Sequence, residues 1–167
     1  MLRRIGPSDS ADLARIAGLI AAHPLALLGQ TESWLAEQAA VAENRILIWD
    51  RAGTGGFDGF AVLELAYPRV VDLMNLALVA PGRGEGQQLI RAVLDLAFGE
   101  MGAHRLFCDV AHDNAPALAA FRRAGLVQEG VMRSCWNRGG TWVDCLAFAL
   151  LETEWRALPP QGVAAAP

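Results

Sequence analysis

Val79-Ala80-Pro81-Gly82-Arg83-Gly84-Glu85-Gly86-Gln87-Gln88 stands between two segments of different texture. Before it, residues 70–79 (VVDLMNLALV) read as one long strand. After it, Leu89, Ile90, Val93, Leu94 and Ala97 recur on one face of a helix over 87–99. Three glycines free the backbone of the loop to turn its N–H groups inward at the mouth of that helix, whose N-terminal dipole favours an anion such as a diphosphate. A lone glycine motif describes an unliganded connection equally well, so the decision rests on the rest of the chain.

Working outward, Leu13, Ile16, Leu19 and Ile20 define a first helix over 8–22, with Ser8, Asp9 and Ser10 as candidate caps. Pro24 and Gly29 interrupt it before a second helix over 31–44, carrying Trp34, Leu35, Gln38 and Val41. Strands follow at 45–49 and 59–65 across the turn at 53–56. Beyond the glycine loop and its helix come a strand at 105–110, a helix at 114–124 ended by Gly125, and a hairpin of 131–138 with 141–151 across Gly139-Gly140. Counting the short apolar start as a strand, the order is β-α-α-β-β-β-α-β-α-β-β. That order predicts an α/β fold, a mixed sheet with helices on both faces, with a smaller α+β sandwich as the alternative. Residues 1–156 read as a single domain and the Pro- and Ala-rich 157–167 as a disordered tail.

Composition narrows the function. The chain has 167 residues, 53% hydrophobic and 19% charged, enough apolar material for a sizeable core. A net charge of −4 argues against a phosphate-backbone binder, and no apolar run is long enough for a membrane span or signal peptide. Neither nucleic acid nor membrane is therefore expected as a partner, a homodimer is left open, and the expected location is cytoplasmic. All 14 basic residues are arginine, which removes Schiff-base lysine chemistry and the P-loop lysine. Cys108, Cys135 and Cys145 are odd in number and share no C-x-x-C spacing, so they read as buried thiols rather than as disulfides or zinc ligands, and no metal is expected.

Two further motifs decide the reading of the loop. Arg83-Gly84-Glu85-Gly86-Gln87-Gln88 follows the pattern Arg/Gln-x-x-Gly-x-Gly/Ala except at its last position. About 30 residues on, Asn114-Ala115-Pro116-Ala117-Leu118-Ala119-Ala120-Phe121-Arg122-Arg123-Ala124-Gly125-Leu126 places an Asn, a helix with an aromatic, and then a Gly followed by an apolar residue. Jointly they resemble the GNAT family of acetyl-CoA-dependent N-acetyltransferases. The final hairpin, Val131-Met132-Arg133 with Arg138-Gly139-Gly140-Thr141-Trp142-Val143-Asp144 and then Glu154-Trp155, is similar to the branch that acetylates ribosomal protein N-termini. The resemblance covers most of residues 1–155. It implies a GNAT-type, mostly antiparallel central sheet and acetyl-CoA as co-substrate.

By that resemblance the backbone of Arg83, Gly84, Glu85, Gly86, Gln87 and Gln88 cradles the pyrophosphate of CoA. The strand end at Ala77, Leu78 and Val79 pairs with the pantetheine as an added strand, and a strand N–H near Leu78 polarises the thioester carbonyl. Asn114 hydrogen-bonds the pantetheine arm while also capping its helix, and Phe121 lines the slot beside the thiol. Three departures stand out. Gln88 replaces a small residue, the stretch Pro81 to Arg83 is one residue shorter than usual, and Phe121 stands where many members place a thiolate-protonating Tyr.

Acetyl transfer needs a neutral amine, and an alkyl amine of pKa ~10.4 is protonated near neutrality, whereas a peptide α-amino group at ~7.7–8.0 needs far less help. Asp72, on the strand leading to Val79, is the first candidate base, where some members of the family place a glutamate; Glu64 on the preceding strand is the second. His104 and His112 are further relays to consider, and Trp34 and Trp136 are candidates to cover the acceptor cleft. The expected activity is acetyl transfer from acetyl-CoA to a primary amine of a protein N-terminus or small molecule, by direct attack in a ternary complex. A non-catalytic acyl-CoA-binding module is the alternative that Gln88 and Phe121 raise.

Overall fold

The computed structural model describes residues 1–82 and 84–159, so Arg83 and the tail from residue 160 onward lie outside the described residues. In chain order the elements are β1 (Leu2–Ile5), α1 (Ser10–Ala22), α2 (Glu32–Ala40), β2 (Arg45–Trp49), β3 (Gly59–Tyr67), β4 (Val70–Leu78), α3 (Glu85–Asp95), β5 (Arg105–Ala111), α4 (Ala115–Arg123), β6 (Val127–Arg138), β7 (Thr141–Leu151) and α5 (Glu152–Ala157). A π-helical stretch, Leu96–Glu100, continues α3. The strands form one sheet in the order β1-β2-β3-β4-β5-β7-β6. Every neighbouring pair is antiparallel except β4 with β5. Among the described residues no helix is long and apolar enough to cross a membrane.

Alternation along the strands divides the core in two. Leu47, Trp49, Ala61, Leu63, Val71 and Leu73 bury one face under Leu89, Ile90, Val93 and Leu94 of α3 and Leu118 and Phe121 of α4. Ile46, Ile48, Phe60 and Val62 bury the other under Leu13, Ile16 and Ile20 of α1 and Leu35 and Ala39 of α2. Covered on both faces, β2 and β3 carry near-continuous apolar runs where a one-sided sheet would alternate.

Two of the irregularities in the sheet bear on the site. In β3–β4 the register runs from Val62 opposite Asn75 to Leu63 opposite Leu73, so Met74 is the extra residue of a bulge. The bulge changes the parity of β4: Val71 and Leu73 pack on the α3 face before it, and Leu76 and Leu78 after it. Asn75 is thereby turned toward the α1–α2 segment, where its Oδ1 accepts from the Leu28 N–H at 3.0 Å. Its Nδ2 donates to the Leu28 carbonyl at 3.0 Å and to Gln30 Oε1 at 2.9 Å.

The second irregularity is between the parallel neighbours. β4 and β5 pair only at Val70, Val71 and Asp72 with Arg105, Leu106 and Phe107. β4 then continues to Leu78 beside β3, whereas β5 continues to Ala111 beside β7. Beyond Asp72 the two halves of the sheet part, and among the described residues the β4 edge facing β5 has no strand beside it.

Several boundaries differ from the sequence reading. Glu85 and Gly86 belong to the first turn of α3 although glycine content reads there as loop. β6 starts at Val127, earlier than its apolar pattern announces, because its first residues are exposed. α5 gives no sequence signal beyond Glu154, whose carboxylate accepts from the Leu151 N–H at 2.8 Å.

Candidate active site

The parted strands enclose a cavity of about 440 Å³. Its walls include Leu76, Ala77 and Leu78 of β4, Asp109 and Val110 of β5, and Asn114, Ala117 and Phe121 at the head of α4. Asp72 and Cys108 lie where the strands separate, and His23, Leu28 and Trp136 stand on the far side. Of the residues predicted from sequence, Asp72, Ala77, Leu78, Asn114, Phe121 and Trp136 thus meet in one opening, whereas Glu64, Val79 and residues 84–88 are not part of its wall.

The β4 edge supplies backbone donors. Val79 already donates its N–H to the Asp58 carbonyl, on the β3 side, at 2.8 Å. Successive strand amides point to opposite sides, so the Leu78 N–H faces the opening. Of the three strand positions expected to meet the pantetheine, Val79 therefore has its amide committed elsewhere, and its side chain is exposed.

Just past this edge, Gly82 at φ 100° and Gly84 at φ 78° hold backbone angles that favour glycine. Gly84 is the N-cap of α3, and no side chain caps that terminus among the described residues. The first-turn N–H groups of an α-helix have no intrahelical acceptor, so those of Glu85, Gly86 and Gln87 form a ready anion cradle. A Cβ built on Gly86 meets nothing within 4 Å, which leaves the room that an approaching phosphate needs. The side chains here are otherwise engaged. Glu85 is buried and ion-paired with Arg51, and Gln87 Nε2 donates to the Ala120 carbonyl at 2.9 Å, tying α3 to α4. Gln88 is exposed on α3 and does not line the cavity.

Asn114 Oδ1 accepts from the Ala117 N–H at 3.3 Å, which realises its capping role and leaves the Nδ2 donors uncommitted among the described residues. Phe121 is buried against Phe148, with ring centroids 6.4 Å apart.

Asp72 faces Glu64 directly across the β3–β4 ladder and Phe107 across the β4–β5 ladder. Burial, then the Asp109 carboxylate, then that of Glu64 push its carboxyl up from its ordinary value to about 7. Asp72 can thus accept a proton and release it near neutral pH. Glu64 is half-buried and does not line the cavity. Cys108 is 2% exposed, and burial with the Asp109 and Asp72 charges drives its thiol far up, which keeps it protonated.

His104 and His112 lie outside the cavity wall, and Trp34 packs on the α1–α2 core, whereas Trp136 does line the opening. Asn75, Asp109 and His23 join the wall without having been singled out by sequence. The first two have a sequence signal, a polar residue inside an apolar strand; His23, in a loop, has none. Asp109 also lies with Cys135 and Cys145 in a group whose ligand atoms are all within 4.8 Å of one another. No Cys spacing announces that group. Burial raises the Cys145 thiol, so both a proton and an apolar environment stand between it and a metal.

Residues 59–126, from the start of β3 to just past α4, match the model of the Acetyltransferase (GNAT) family. A spermidine N-acetyltransferase from Vibrio cholerae, solved in complex with CoA and spermine, superposes with a TM-score of 0.77 at 18% identity, covering 93% of this chain and 97% of that one. A chimeric form of the Vibrio cholerae enzyme SpeG gives 0.79 at 19% identity, over 95% and 99%. The chain has the GNAT fold. Among curated proteins of Bacillus subtilis, 73 residues of this chain are 30% identical to YnaD, named as an uncharacterized N-acetyltransferase, and 73 residues are 30% identical to YjcK, named as a probable one. Each match spans 44% of this chain and, respectively, only 43% and 40% of those two relatives.

Proposed function

We propose that the protein is an N-acetyltransferase that moves an acetyl group from acetyl-CoA to a primary amine by direct attack in a ternary complex. The parting of β4 from β5 carries this reading, because it supplies an unpaired strand edge, a cavity and a helix N-terminus in one line. Acetyl-CoA brings the activated thioester. The residues bind and orient it: N–H groups of residues 84–88 on the pyrophosphate, the edge of Ala77 and Leu78 along the pantetheine, Asn114 Nδ2 on the same arm, and Phe121 beside the sulfur. The Leu78 N–H donates to the thioester carbonyl as charge develops on it. Asp72 lies six residues before Leu78 on β4, roughly 20 Å away at ~3.3 Å per residue. It therefore receives the amine proton through water in the cavity, with burial, then Asp109 and Glu64, holding its carboxyl near the pH at which it works. No hydroxyl stands at Phe121 to protonate the departing thiolate. At a thiol pKa of ~8.5 that proton can come from water at modest cost.

The acceptor is a protein N-terminus or a small amine. Likeness of the final hairpin to the branch acting on ribosomal protein N-termini supports the first, and the cavity wall formed by His23, Leu28 and Trp136 supports the second. Three free cysteines agree with a cytoplasmic setting. The test is thiol release from acetyl-CoA with a panel of peptides and small amines, run beside calorimetric binding. Saturable binding with amine-dependent release is expected. Binding without release from any amine would leave an acyl-CoA-binding module, and absence of binding would overturn the reading altogether.

A further inference from the structure

A second cavity, of about 420 Å³, lies between the α1–α2 segment and the tip of the β6–β7 hairpin. It shares Leu27 and Trp136 with the first, so the two are neighbours across a common wall. Among its described lining residues Arg138 is the one charged side chain. That side chain is 7% exposed. Its Nη1 donates to both oxygens of Asp113, at 2.9 and 2.8 Å, and its guanidinium lies 4.4 Å from the centroid of the Trp136 ring. Nε and Nη2 are buried and have no hydrogen-bond partner among the described residues.

A buried donor without an acceptor is costly, more so on a charged group. The two orphans are not independent, since Nε–H and the adjacent Nη2–H form one edge of the planar fork that matches the two oxygens of a carboxylate. Asp113 holds the opposite corner and Trp136 holds the plane, so the free edge is presented in a fixed orientation. At the other end, the first cavity carries Asp72 and Asp109, which favour an ammonium group. The first cavity is therefore lined by carboxylates, and its neighbour by the free donor edge of an arginine whose charge is paired with Asp113. A polyamine offers no acceptor to the Nε and Nη2 edge, whereas an amine that also bears a carboxylate supplies an ammonium to the acidic cavity and two acceptor oxygens to that edge.

Resting on the acetyl-transfer reading, we propose that the acceptor is a small amine bearing a carboxylate, and that Arg138 is the specificity residue that holds that carboxylate through Nε and Nη2.

The experiment compares ω-amino acids of graded chain length with their carboxamides, which keep the amine and remove the charge, and with diamines. kcat/KM is read by thiol release, and binding by the ¹⁵N shift of the Arg138 Nε–H, assigned by its loss in Arg138→Gln. For the best chain length the acid should exceed its amide by roughly tenfold or more, mainly in KM, with a shift of the Nε–H on the acid alone. Arg138→Gln should bring the acid down to the level of its amide. Arg138→Lys, which keeps the charge and serves if the Gln variant fails to fold, should retain part of the preference. Equal turnover of acids and amides, or preference for diamines, would overturn the proposal. If no amine is acetylated, the acetyl-transfer reading fails, and the Nε–H shift still decides whether Arg138 binds a carboxylate: a shift with acid and not with amide upholds that site, and no shift overturns it.

Discussion

At the smallest scale the proposed chemistry rests on Asp72, whose surroundings work against its charge. Burial comes first and two facing carboxylates second, so the protonated form persists to about pH 7 in the folded protein. Asp72→Asn removes basicity while keeping size. Its turnover should fall by ~10²–10⁴-fold with acetyl-CoA affinity intact, and the loss should shrink as assay pH approaches the pKa of the amine. A near-normal rate at neutral pH would move the role to Glu64 or to a water chain. The same shift has a stability consequence of definite sign. A carboxyl whose folded pKa lies above its unfolded value favours the fold at low pH, and that contribution is lost as pH rises from about 4 through about 7. Thermal melts of wild type and Asp72→Asn should therefore diverge across that interval, the variant being the more stable above it. At Gln88, which lies on α3 away from the cavity wall, replacement by alanine should change acetyl-CoA affinity by about tenfold or less, the scale of one net hydrogen bond; complete loss in calorimetry would make it a principal contact.

At the scale of elements, the loop and first turn of α3 and the bulge of β4 each position one side of the site. Gly86 faces open space and its φ is not in the left-handed region, so valine fits the fold. Gly86→Val should keep its melting temperature while weakening acetyl-CoA by roughly 10–100-fold, the worth of a charge-assisted hydrogen bond that the side chain would block. An unchanged Kd in a folded variant would remove the phosphate cradle from residues 84–88. Asn75→Ala would leave the Leu28 N–H and carbonyl without their partner. It should cost about 1–3 kcal/mol in denaturant unfolding and raise the acceptor KM more than that of acetyl-CoA, because the α1–α2 segment borders the acceptor side. These elements also show what the sequence can and cannot disclose. β2, β3 and β4 are legible from runs of Ile, Leu, Val and Phe, and the α3 face from its period. The bulge is not, since nothing in Leu73-Met74-Asn75 states that Met74 is unpaired. Asn75 and Asp109 are visible as polar residues in apolar strands, yet their partners come from loops and strands far along the chain, which periodicity cannot bring together. Arg138 reads only as part of a hairpin motif, because an unpaired guanidinium edge exists only after folding.

For the whole molecule, the proposed function rests on the sheet opening between β4 and β5. Three ladder pairs hold the strands together at Val70–Asp72, and past them each half follows its own antiparallel partner. The most direct measurement is amide hydrogen exchange with and without saturating acetyl-CoA. The backbone from Leu76 to Leu78 and the first turn of α3 at residues 84–88 should slow markedly on binding, while β1 and β2, on the far side of β3, stay unchanged. Protection confined to other elements, or no protection at a concentration where calorimetry shows full binding, would contradict a cofactor seated on the open edge of β4.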